Sequence, residues 1–202
     1  MKSLDHPNII KFYGTFQDQK YFHLVMEYCQ GGSLLDRFIK RGKFTEPEAA
    51  KIMEKLFSAV EYLHQNGISH RDLKLDNFLF VDKSEDSEIR IIDFGLSTTL
   101  LDLKNKGKSL NSKVGTPIYM APEVIQGDYD ERCDNWSLGV ILYQLLNGHT
   151  AFKGDKRKEV FKQILKGEYI MDTPEYKSLS DYAKHLISKF LIVNPNHRFT
   201  AV

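Results

Sequence analysis

The sequence predicts an α+β fold with a short β-rich beginning and a mainly helical remainder. Two runs of aromatic and β-branched residues open the chain, and a second pair of short apolar runs follows one long helical pattern. Three further helical patterns occupy the end of the chain. With 42% hydrophobic and 12% aromatic residues among its 202, the chain has enough apolar material for a core, which excludes a disordered or collagen-like protein.

The first predicted element is a β-hairpin. Residues 9–16 and 21–27 are both rich in strand-forming residues, and the polar stretch 17–20 between them supplies a turn. Gly31 and Gly32 follow the second run and prevent its continuation, because glycine weakens a strand. The chain is therefore expected to open on two antiparallel strands.

Two helices are predicted next. The apolar stretch 34–39 indicates a brief helix that ends near Gly42. Thr45 and Glu48 form a capping-box pattern, in which each side chain bonds the backbone N–H of the other residue. Apolar residues at helical spacing follow, so a long amphipathic helix is expected to end near Gly67.

A second hairpin and a long irregular stretch come after the long helix. Residues 78–81 and 89–92 are short apolar runs separated by a charged segment. Residues 95–122 show no sustained period, and a loop of that length in a compact domain is usually functional or mobile. Ser180 is a good N-cap for the last of the helices that follow. These helices are predicted at residues 134–146, 155–166 and 181–191.

Charge and cysteine content exclude several classes of protein. The 28 Lys and Arg residues nearly balance the 27 Asp and Glu residues, which argues against a nucleic-acid partner. Cys29 and Cys133 are far apart, so neither a disulfide framework nor a zinc cluster is expected, and an intracellular, cytoplasmic setting fits. Residues 1–10 lack the features of a signal peptide, and the most apolar stretch, 138–146, is far shorter than the ~18 residues a membrane span needs.

Three short motifs carry the chemical signal. Residues 70–77 have the sequence HRDLKLDN and lie between the long helix and the second hairpin. Residues 93–95 are DFG, directly after that hairpin, and residues 121–123 are APE, after the irregular stretch. DFG or APE alone occurs by chance in many chains, and Asp72, Asn77 or Asp93 taken singly is better explained by loop capping. Together, in this order and with these elements between them, they point to one active site.

On these motifs the sequence resembles the protein kinase family. Within that family it is similar to the calcium/calmodulin-dependent group, and most of all to the calcium-dependent protein kinases. The segments that support the narrower match are HPNI at 6–9, YFHLVMEYCQGGSL at 21–34, IIDFGLST at 91–98, and KVGT with APEVI within 113–125. The resemblance implies a two-lobed fold and transfer of the γ-phosphoryl group of ATP to a Ser or Thr hydroxyl of a protein substrate, with Mg²⁺ as cofactor.

The resemblance also implies a role for each residue of the catalytic loop. Asp72 would accept the proton of the substrate hydroxyl, and Lys74 would offset the charge of the transferring phosphoryl group. Asn77 and Asp93 would supply oxygen ligands for Mg²⁺. Thr116 matches the position that bonds the catalytic Asp and Lys.

The same matching places the nucleotide pocket. Met26 falls at the gatekeeper position beside the adenine, and Glu27 and Cys29 would offer backbone groups to the adenine edge. Leu79 would form the apolar floor of the pocket. Ser33 stands where a Glu usually binds the ribose and a substrate arginine.

Two further roles concern the substrate and the long loop. Asp76 retains a carboxylate near the position of Ser33, so a preference for basic substrates is expected to survive in part. Ser112 matches the usual phosphorylation site of the loop, where a phosphate could pair with Arg71. The alternative for Ser112 is a plain polar loop residue.

Structural roles follow from the resemblance as well. Phe94 is expected to pack beneath His70. Glu123 and Arg198 are expected to form a buried ion pair, and Asp134 to bond the backbone around His70.

One large departure concerns the beginning of the chain. The family's Gly-rich loop, strand Lys and helix Glu have no counterpart here, and Gly14 is the only glycine before the first hairpin turn. Residues 1–32 are therefore expected to be a remnant of the upper lobe plus the hinge, and residues 33–202 a lower lobe without its final helix. On this interpretation the chain is a fragment that is inactive alone, and a calcium-sensing region could lie only outside it.

A second hypothesis stays open at this point. The chain could be a genuine short pseudokinase that acts as a protein-binding module, which the missing strand Lys favours. The intact HRD and DFG motifs and Lys74 argue against it, because a module without catalysis has no chemical reason to keep them.

Overall fold

In the computed structural model of the protein, residues 4–99 and 116–201 are described. Their strands are β1 (Phe12–Gln17), β2 (Phe22–Met26), β3 (Ile68–Ser69), β4 (Phe78–Phe80), β5 (Ile89–Ile91) and β6 (Thr98–Thr99). Their helices are α1 (Leu34–Arg41), α2 (Glu46–Gln65), α3 (Pro122–Gln126), α4 (Arg132–Asn147), α5 (Arg157–Lys166), α6 (Pro174–Ser178) and α7 (Asp181–Phe190). Single turns of 3₁₀ helix cover Leu75–Asn77, Phe94–Leu96 and Pro117–Tyr119. Strands open the chain and helices dominate the rest, as the sequence predicts.

The opening hairpin pairs β1 with β2 in antiparallel register, with Phe12 opposite Met26. Its turn is stabilised locally by Asp18, whose Oδ1 accepts hydrogen bonds from the backbone N–H groups of Lys20 at 2.7 Å and Tyr21 at 2.8 Å. Such side-chain to backbone bonds favour a turn over extension of either strand. The predicted hairpin is therefore present.

The first strand begins later than the sequence predicts. Ile9 forms an isolated parallel bridge with Ile91 of β5, and the N–H of Ile10 donates to the Ile91 carbonyl at 3.0 Å. The Ile91 N–H donates in turn to the carbonyl of Asn8 at 2.8 Å. Ile9 and Ile10 are buried in this position, so burial beside β5 competes successfully with extension of the hairpin.

Capping boxes set the starts of α1 and α2. The Ser33 hydroxyl accepts from the N–H of Asp36 at 3.0 Å, and Gly42 ends α1 with a φ of 80°. Thr45 and Glu48 form the predicted box, with the Thr45 N–H donating to the Glu48 carboxylate at 2.9 Å. The long helix is confirmed over 20 residues.

The last helix is capped as predicted and is tied to α2. The Ser180 hydroxyl accepts from the N–H of Ala183 at 3.1 Å. The same hydroxyl and the Ser180 N–H both donate to the Glu46 carboxylate at 2.7 Å, and these bonds lower the pKa of Glu46. Hydrogen bonds therefore join the beginning of α7 to the first residue of α2.

Helix α4 forms the centre of the core and packs against α2 and α7. Every residue of α4 after Arg132 is buried. Trp136 stacks on Phe152 with ring centroids 5.7 Å apart. A Cβ at Gly139 would lie 2.6 Å from the Phe190 Cβ, so α7 approaches α4 more closely than any larger residue would allow.

Short elements escape the sequence analysis. Strands β3 and β6 pair over two residues each, and α3 and α6 have five residues each. Hydrophobic periodicity cannot predict elements of two to five residues, because it is recognised only over a longer window of sequence. Strand β6 lies near the start of the stretch 95–122 that the sequence predicts to be irregular.

Some predictions fall outside the described residues. These are the candidate phosphorylation site Ser112 and most of the stretch 95–122 that is expected to be irregular. Within residues 4–99 and 116–201, none of the helices combines the length and apolarity that crossing a membrane requires.

Candidate active site

Asp134 of α4 anchors the loop that contains the HRD motif. Its carboxylate accepts hydrogen bonds from the backbone N–H of His70 at 2.9 Å, the N–H of Arg71 at 2.8 Å and the Ser69 hydroxyl at 3.0 Å. His64, near the end of α2, places its Nε2 2.9 Å from the same carboxylate. The expected bond from Asp134 to the loop backbone is confirmed.

Burial and hydrogen bonding act on Asp134 in opposite directions. Complete burial works to raise its pKa, but the hydrogen bond and the charge of His64 outweigh burial, so the pKa is lowered. Asp134 is therefore ionised at neutral pH, and a charged acceptor makes stronger hydrogen bonds than a neutral one. Sequence analysis missed His64, because a His at a helix end is usually a satisfied polar residue.

The bonds from Asp134 hold Arg71 in an unusual backbone conformation. Arg71 has a φ of 69°, in the left-handed region that non-glycine residues seldom occupy. Its Nη1 donates to the Tyr129 hydroxyl at 3.4 Å, while its Nε is buried without a hydrogen-bond partner among the described residues. The Arg71 side chain therefore has one donor, its Nε, that is without a partner among the described residues beside the catalytic loop.

Three of the predicted catalytic residues contact the fourth, Asp72. Lys74 Nζ donates to Asp72 Oδ2 at 2.7 Å, and Asn77 Nδ2 lies 3.3 Å from the same oxygen. The backbone N–H of Thr116 donates to Asp72 Oδ1 at 3.3 Å. Asp72 is only 8% exposed, and both oxygens of its carboxylate accept hydrogen bonds. Thr116 reaches Asp72 through its backbone, and a bond from its hydroxyl to Lys74 stays a prediction.

His70 connects the catalytic loop to the DFG segment. Its Nε2 lies 3.0 Å from the carbonyl of Ile92, and its Nδ1 lies 3.4 Å from the N–H of Asp72. Complete burial lowers the pKa of His70, which favours a neutral ring that donates from Nε2 and accepts at Nδ1. Phe94 packs edge-on against this ring at 5.1 Å, as expected.

Asp93 adopts a left-handed conformation with a φ of 61°, and its Oδ1 accepts from the N–H of Gly95 at 3.1 Å. Its exposed carboxylate has further lone pairs for a ligand. Asn77 directs its Nδ2 to the Asp72 carbonyl at 2.8 Å, which leaves its Oδ1 as the atom for a cation. A carboxylate and an amide oxygen are donors of the kind that Mg²⁺ accepts alongside phosphates and water. The two residues thus fit the predicted metal site chemically.

The expected hinge, residues 28–32, is bonded to β4 and to the residue that follows it. The N–H of Gln30 donates to the Val81 carbonyl at 2.9 Å, and the N–H of Gly31 donates to the Phe80 carbonyl at 2.9 Å. A Cβ on Gly31 would lie 2.0 Å from the Asp82 carbonyl oxygen, so only glycine fits this approach. The hinge therefore has a defined position relative to the lower part of the site.

The remaining predicted nucleotide contacts lie on the elements that flank this hinge. Met26 ends β2 and is exposed, whereas Leu79 lies half-buried in β4. Cys29 is half-buried, and burial followed by the nearby Glu27 charge raises the pKa of its thiol. The thiol is therefore neutral at neutral pH, which suits a residue expected to contribute through its backbone.

Ser33 has a competing role. Its hydroxyl donates to Asp36 Oδ2 at 2.7 Å and accepts from the Asp36 N–H, so the capping box occupies both functions of the hydroxyl. Sequence analysis missed Asp36, although the spacing S-x-x-D before an apolar run indicates such a box. A ribose would meet the serine and Asp36 as a pair.

The expected ion pair behind the site is present and buried. Arg198 donates to Glu123 from Nη1 at 2.6 Å and from Nη2 at 2.9 Å. Arg198 also donates to the carbonyl of Arg132 at the start of α4. The pair therefore joins the APE segment to the helix that carries Asp134.

Comparison with known proteins agrees with this geometry. A family model described as "Protein kinase domain" matches residues 1–202. Calcium-dependent protein kinase 5 of Plasmodium falciparum (isolate 3D7) is 48% identical over 198 residues, which cover 98% of this chain and 34% of that protein. Calcium-dependent protein kinase 3 of Plasmodium yoelii yoelii is 45% identical over 201 residues, covering 100% of this chain and 37% of that protein. The chain thus spans about a third of the length of the curated relatives it matches.

Proposed function

The chain belongs to the protein kinase family, and we propose that it carries the catalytic residues of a serine/threonine kinase that uses ATP to phosphorylate proteins. The observation that carries the proposal is the cluster at Asp72. Lys74 and Thr116 donate to different oxygens of its carboxylate, while Asn77 bonds its carbonyl. This arrangement fits one carboxylate that receives a proton beside one cation that faces the phosphoryl group.

In the proposed mechanism Asp72 orients the substrate hydroxyl and takes its proton as the oxygen attacks the γ-phosphorus, while the bond from that phosphorus to the β–γ bridging oxygen breaks and ADP leaves. Lys74 follows Asp72 closely in the chain and offsets the charge that develops on that group. Thr116 and Asn77 keep the Asp72 carboxylate in place during the step. Phosphoryl transfer depends mainly on positioning and charge stabilisation, and these are the functions that the described contacts support.

The family implies ATP and a divalent cation in general, and we propose Mg²⁺ as the cation. Asn77 Oδ1 and the Asp93 carboxylate would hold it. When bound, Mg²⁺ neutralises the phosphates of the nucleotide. The left-handed backbone of Asp93, held by the N–H of Gly95, supports a fixed carboxylate at this position.

The nucleotide contacts form part of the same proposal. Glu27 and Cys29 bind the adenine edge through their backbone, with Met26 and Leu79 as apolar neighbours. Ser33, together with Asp36, faces the ribose.

The proposal also covers the domain division, the substrate and the long loop. Residues 1–32 form the end of the upper lobe and the hinge, and residues 33–202 form the lower lobe. Asp76 is exposed and favours basic residues in the protein substrate. Phosphorylated Ser112 would pair with Arg71, whose buried Nε has no partner among the described residues.

Two statements about the whole protein complete the proposal. The relatives are named as calcium-dependent, and we place any calcium response outside residues 1–202. A cytoplasmic location fits Cys29 and Cys133, which are both free.

The test is Asp72→Asn in the full-length protein. Because the asparagine keeps the shape but cannot accept a proton, phosphate transfer to protein Ser and Thr is expected to fall by about 10²–10⁴-fold. Stabilisation by ATP and Mg²⁺ in a thermal shift is expected to persist, which shows that the variant still folds and binds nucleotide. Retained transfer would contradict the assignment. A protein that is stable but shows neither transfer nor a nucleotide-dependent shift would favour the binding-module hypothesis.

A further inference from the structure

Arg90 of β5 forms an ion pair across the hinge that the sequence gives no reason to expect. Its Nε donates to both carboxylate oxygens of Glu27, at 2.9 Å and 3.2 Å. The two side chains are 17% and 19% exposed, so water screens the pair less than it screens a surface pair. The partners are 63 positions apart, and no local pattern signals such a contact.

The same arginine reaches a third segment. Its Nη1 donates to the carbonyl oxygen of Pro7, on the stretch that precedes β1. Glu27 is also bonded to Lys11, whose N–H lies 3.3 Å from the Glu27 carboxylate and whose carbonyl accepts from the Glu27 N–H at 2.8 Å. One guanidinium therefore joins β5, the hinge and the chain entering β1.

The hinge is consequently fixed at both of its ends. Glu27 is bonded to Arg90 and Lys11, whereas Gln30 and Gly31 are bonded to β4. Between these anchors lie Tyr28, which is 81% exposed, and Cys29. The backbone groups expected to meet the adenine therefore belong to a span whose beginning is held by the Glu27 carboxylate.

We propose that Arg90 is a positioning residue for nucleotide binding, which acts through Glu27 to hold the adenine-binding backbone of the hinge in place. This inference deepens the proposed function and rests on it. Arg90 is not among the residues expected to contact the nucleotide, and its described partners are Glu27 and Pro7. Its Nε shares one N–H between the two carboxylate oxygens while its Nη1 donates to Pro7, so the guanidinium holds the Glu27 carboxylate against β5 and against the chain entering β1. The pre-organised hinge needs less ordering when adenine binds, so the gain appears as affinity for ATP.

The test uses Arg90→Gln, Glu27→Gln and the double variant in the full-length protein, with casein as the phosphate acceptor. Each single variant is expected to raise the KM for ATP about tenfold, which corresponds to about 1.4 kcal/mol, with kcat changed less than about twofold. The double variant is expected to match the single variants, because the two side chains act as one unit. Arg90→Lys, which keeps the charge, is expected to recover part of the affinity.

Arg132→Gln is the matched control, since Arg132 forms a comparable ion pair with Asp130 at the start of α4. It is expected to leave the KM for ATP unchanged. An unchanged KM in Arg90→Gln, or equal losses of kcat and heat stability in Arg90→Gln and Arg132→Gln, would reduce Arg90 to a structural residue and overturn the inference.

A second readout separates this inference from the proposed function. Hydrogen exchange of the amides of Gln30 and Gly31, measured without nucleotide, is expected to be about tenfold faster in Arg90→Gln than in the wild type or in Arg132→Gln. Wild-type protein that transfers no phosphate would contradict the proposed function, while hinge exchange would still decide whether Arg90 holds the hinge. Unchanged exchange would overturn the inference whatever the activity.

Discussion

The β1–β2 hairpin and helix α4 are both apolar in sequence, yet they differ completely in burial. All five residues of β2 are exposed, including Phe22 at 72% and Leu24 at 60%. In α4 every residue from Cys133 to Asn147 is buried, including the polar residues Asp134 and Asn135. The hairpin is held by its own ladder and by the Asp18 turn, whereas α4 is held by packing from several elements.

The difference shows where the free energy of folding and the active site are concentrated. Burial of apolar surface is the main stabilising contribution, and the buried helix has far more of it than the hairpin. Asp134 on that same helix accepts hydrogen bonds from the backbone of the catalytic loop. Substitutions in the helical part should therefore affect both folding and chemistry, and matched substitutions in the hairpin away from Met26 should affect neither strongly.

The largest effect is expected from Glu123→Gln. Removing one charge of the buried pair leaves Arg198 without its counterion, and breaking a buried pair of this kind costs about 3–5 kcal/mol. The loss can be measured as faster hydrogen exchange of the α4 amides in the full-length protein.

Glu168→Gln supplies the control, because Glu168 pairs with Lys166 while both side chains are largely exposed. Exchange in α4 should then match the wild type. Equal effects from the two variants would mean that burial does not distinguish the pairs.

A direct comparison of the two regions uses one substitution at two sites. Leu63→Ala removes a fully buried side chain from the face of α2 that meets the core, and should cost about 2–5 kcal/mol. Leu24→Ala removes the same atoms from the exposed face of β2, and should cost less than about 0.5 kcal/mol. Urea unfolding of the two variants against the wild type measures both values.

If Leu24→Ala were as costly as Leu63→Ala, the hairpin would be covered in the full-length protein. If only Leu63→Ala lost stability, Leu24 would be exposed in the full-length protein as well. Either result therefore decides whether the hairpin and the helical part differ in burial there.

Sequence alone predicted the element types well but not their burial. The Thr45–Glu48 and Ser180 caps follow from local spacing, and the structure contains both. Ile9 and Ile10 were placed in the hairpin, because a β-rich run does not reveal whether its partner is the next strand or Ile91 far along the chain.

The candidate site divides in the same way. Motif spacing and family resemblance identified Asp72, Lys74 and Asn77, which the structure brings together. His64 and Arg90 were missed, since each acts through a partner more than sixty positions away. Contacts of that range depend on how the elements pack, which no local pattern encodes.

The smallest effect is a pH dependence that originates inside the helical part. Burial lowers the pKa of His70 below its ordinary value, so at mildly acidic pH the unfolded chain binds a proton that the folded chain does not. The stabilising contribution of neutral His70 is complete above the unfolded pKa, near 6.5, and is lost as the pH falls below it toward the folded pKa. The slope cannot exceed about 1.4 kcal/mol per pH unit for one proton.

His70→Phe is the variant that isolates this effect, because phenylalanine keeps an aromatic ring against Phe94 and cannot titrate. Its stability should be lower overall, since the contact with the Ile92 carbonyl is lost, but flatter between pH 7 and pH 5. His6, whose pKa is also lowered by burial and by the charge of Arg90, remains in the variant, so any residual slope tests its separate contribution. An unchanged slope in His70→Phe would mean that the pH dependence of stability does not originate in the catalytic loop. Protonation within the loop would then not be coupled to the stability of the buried core.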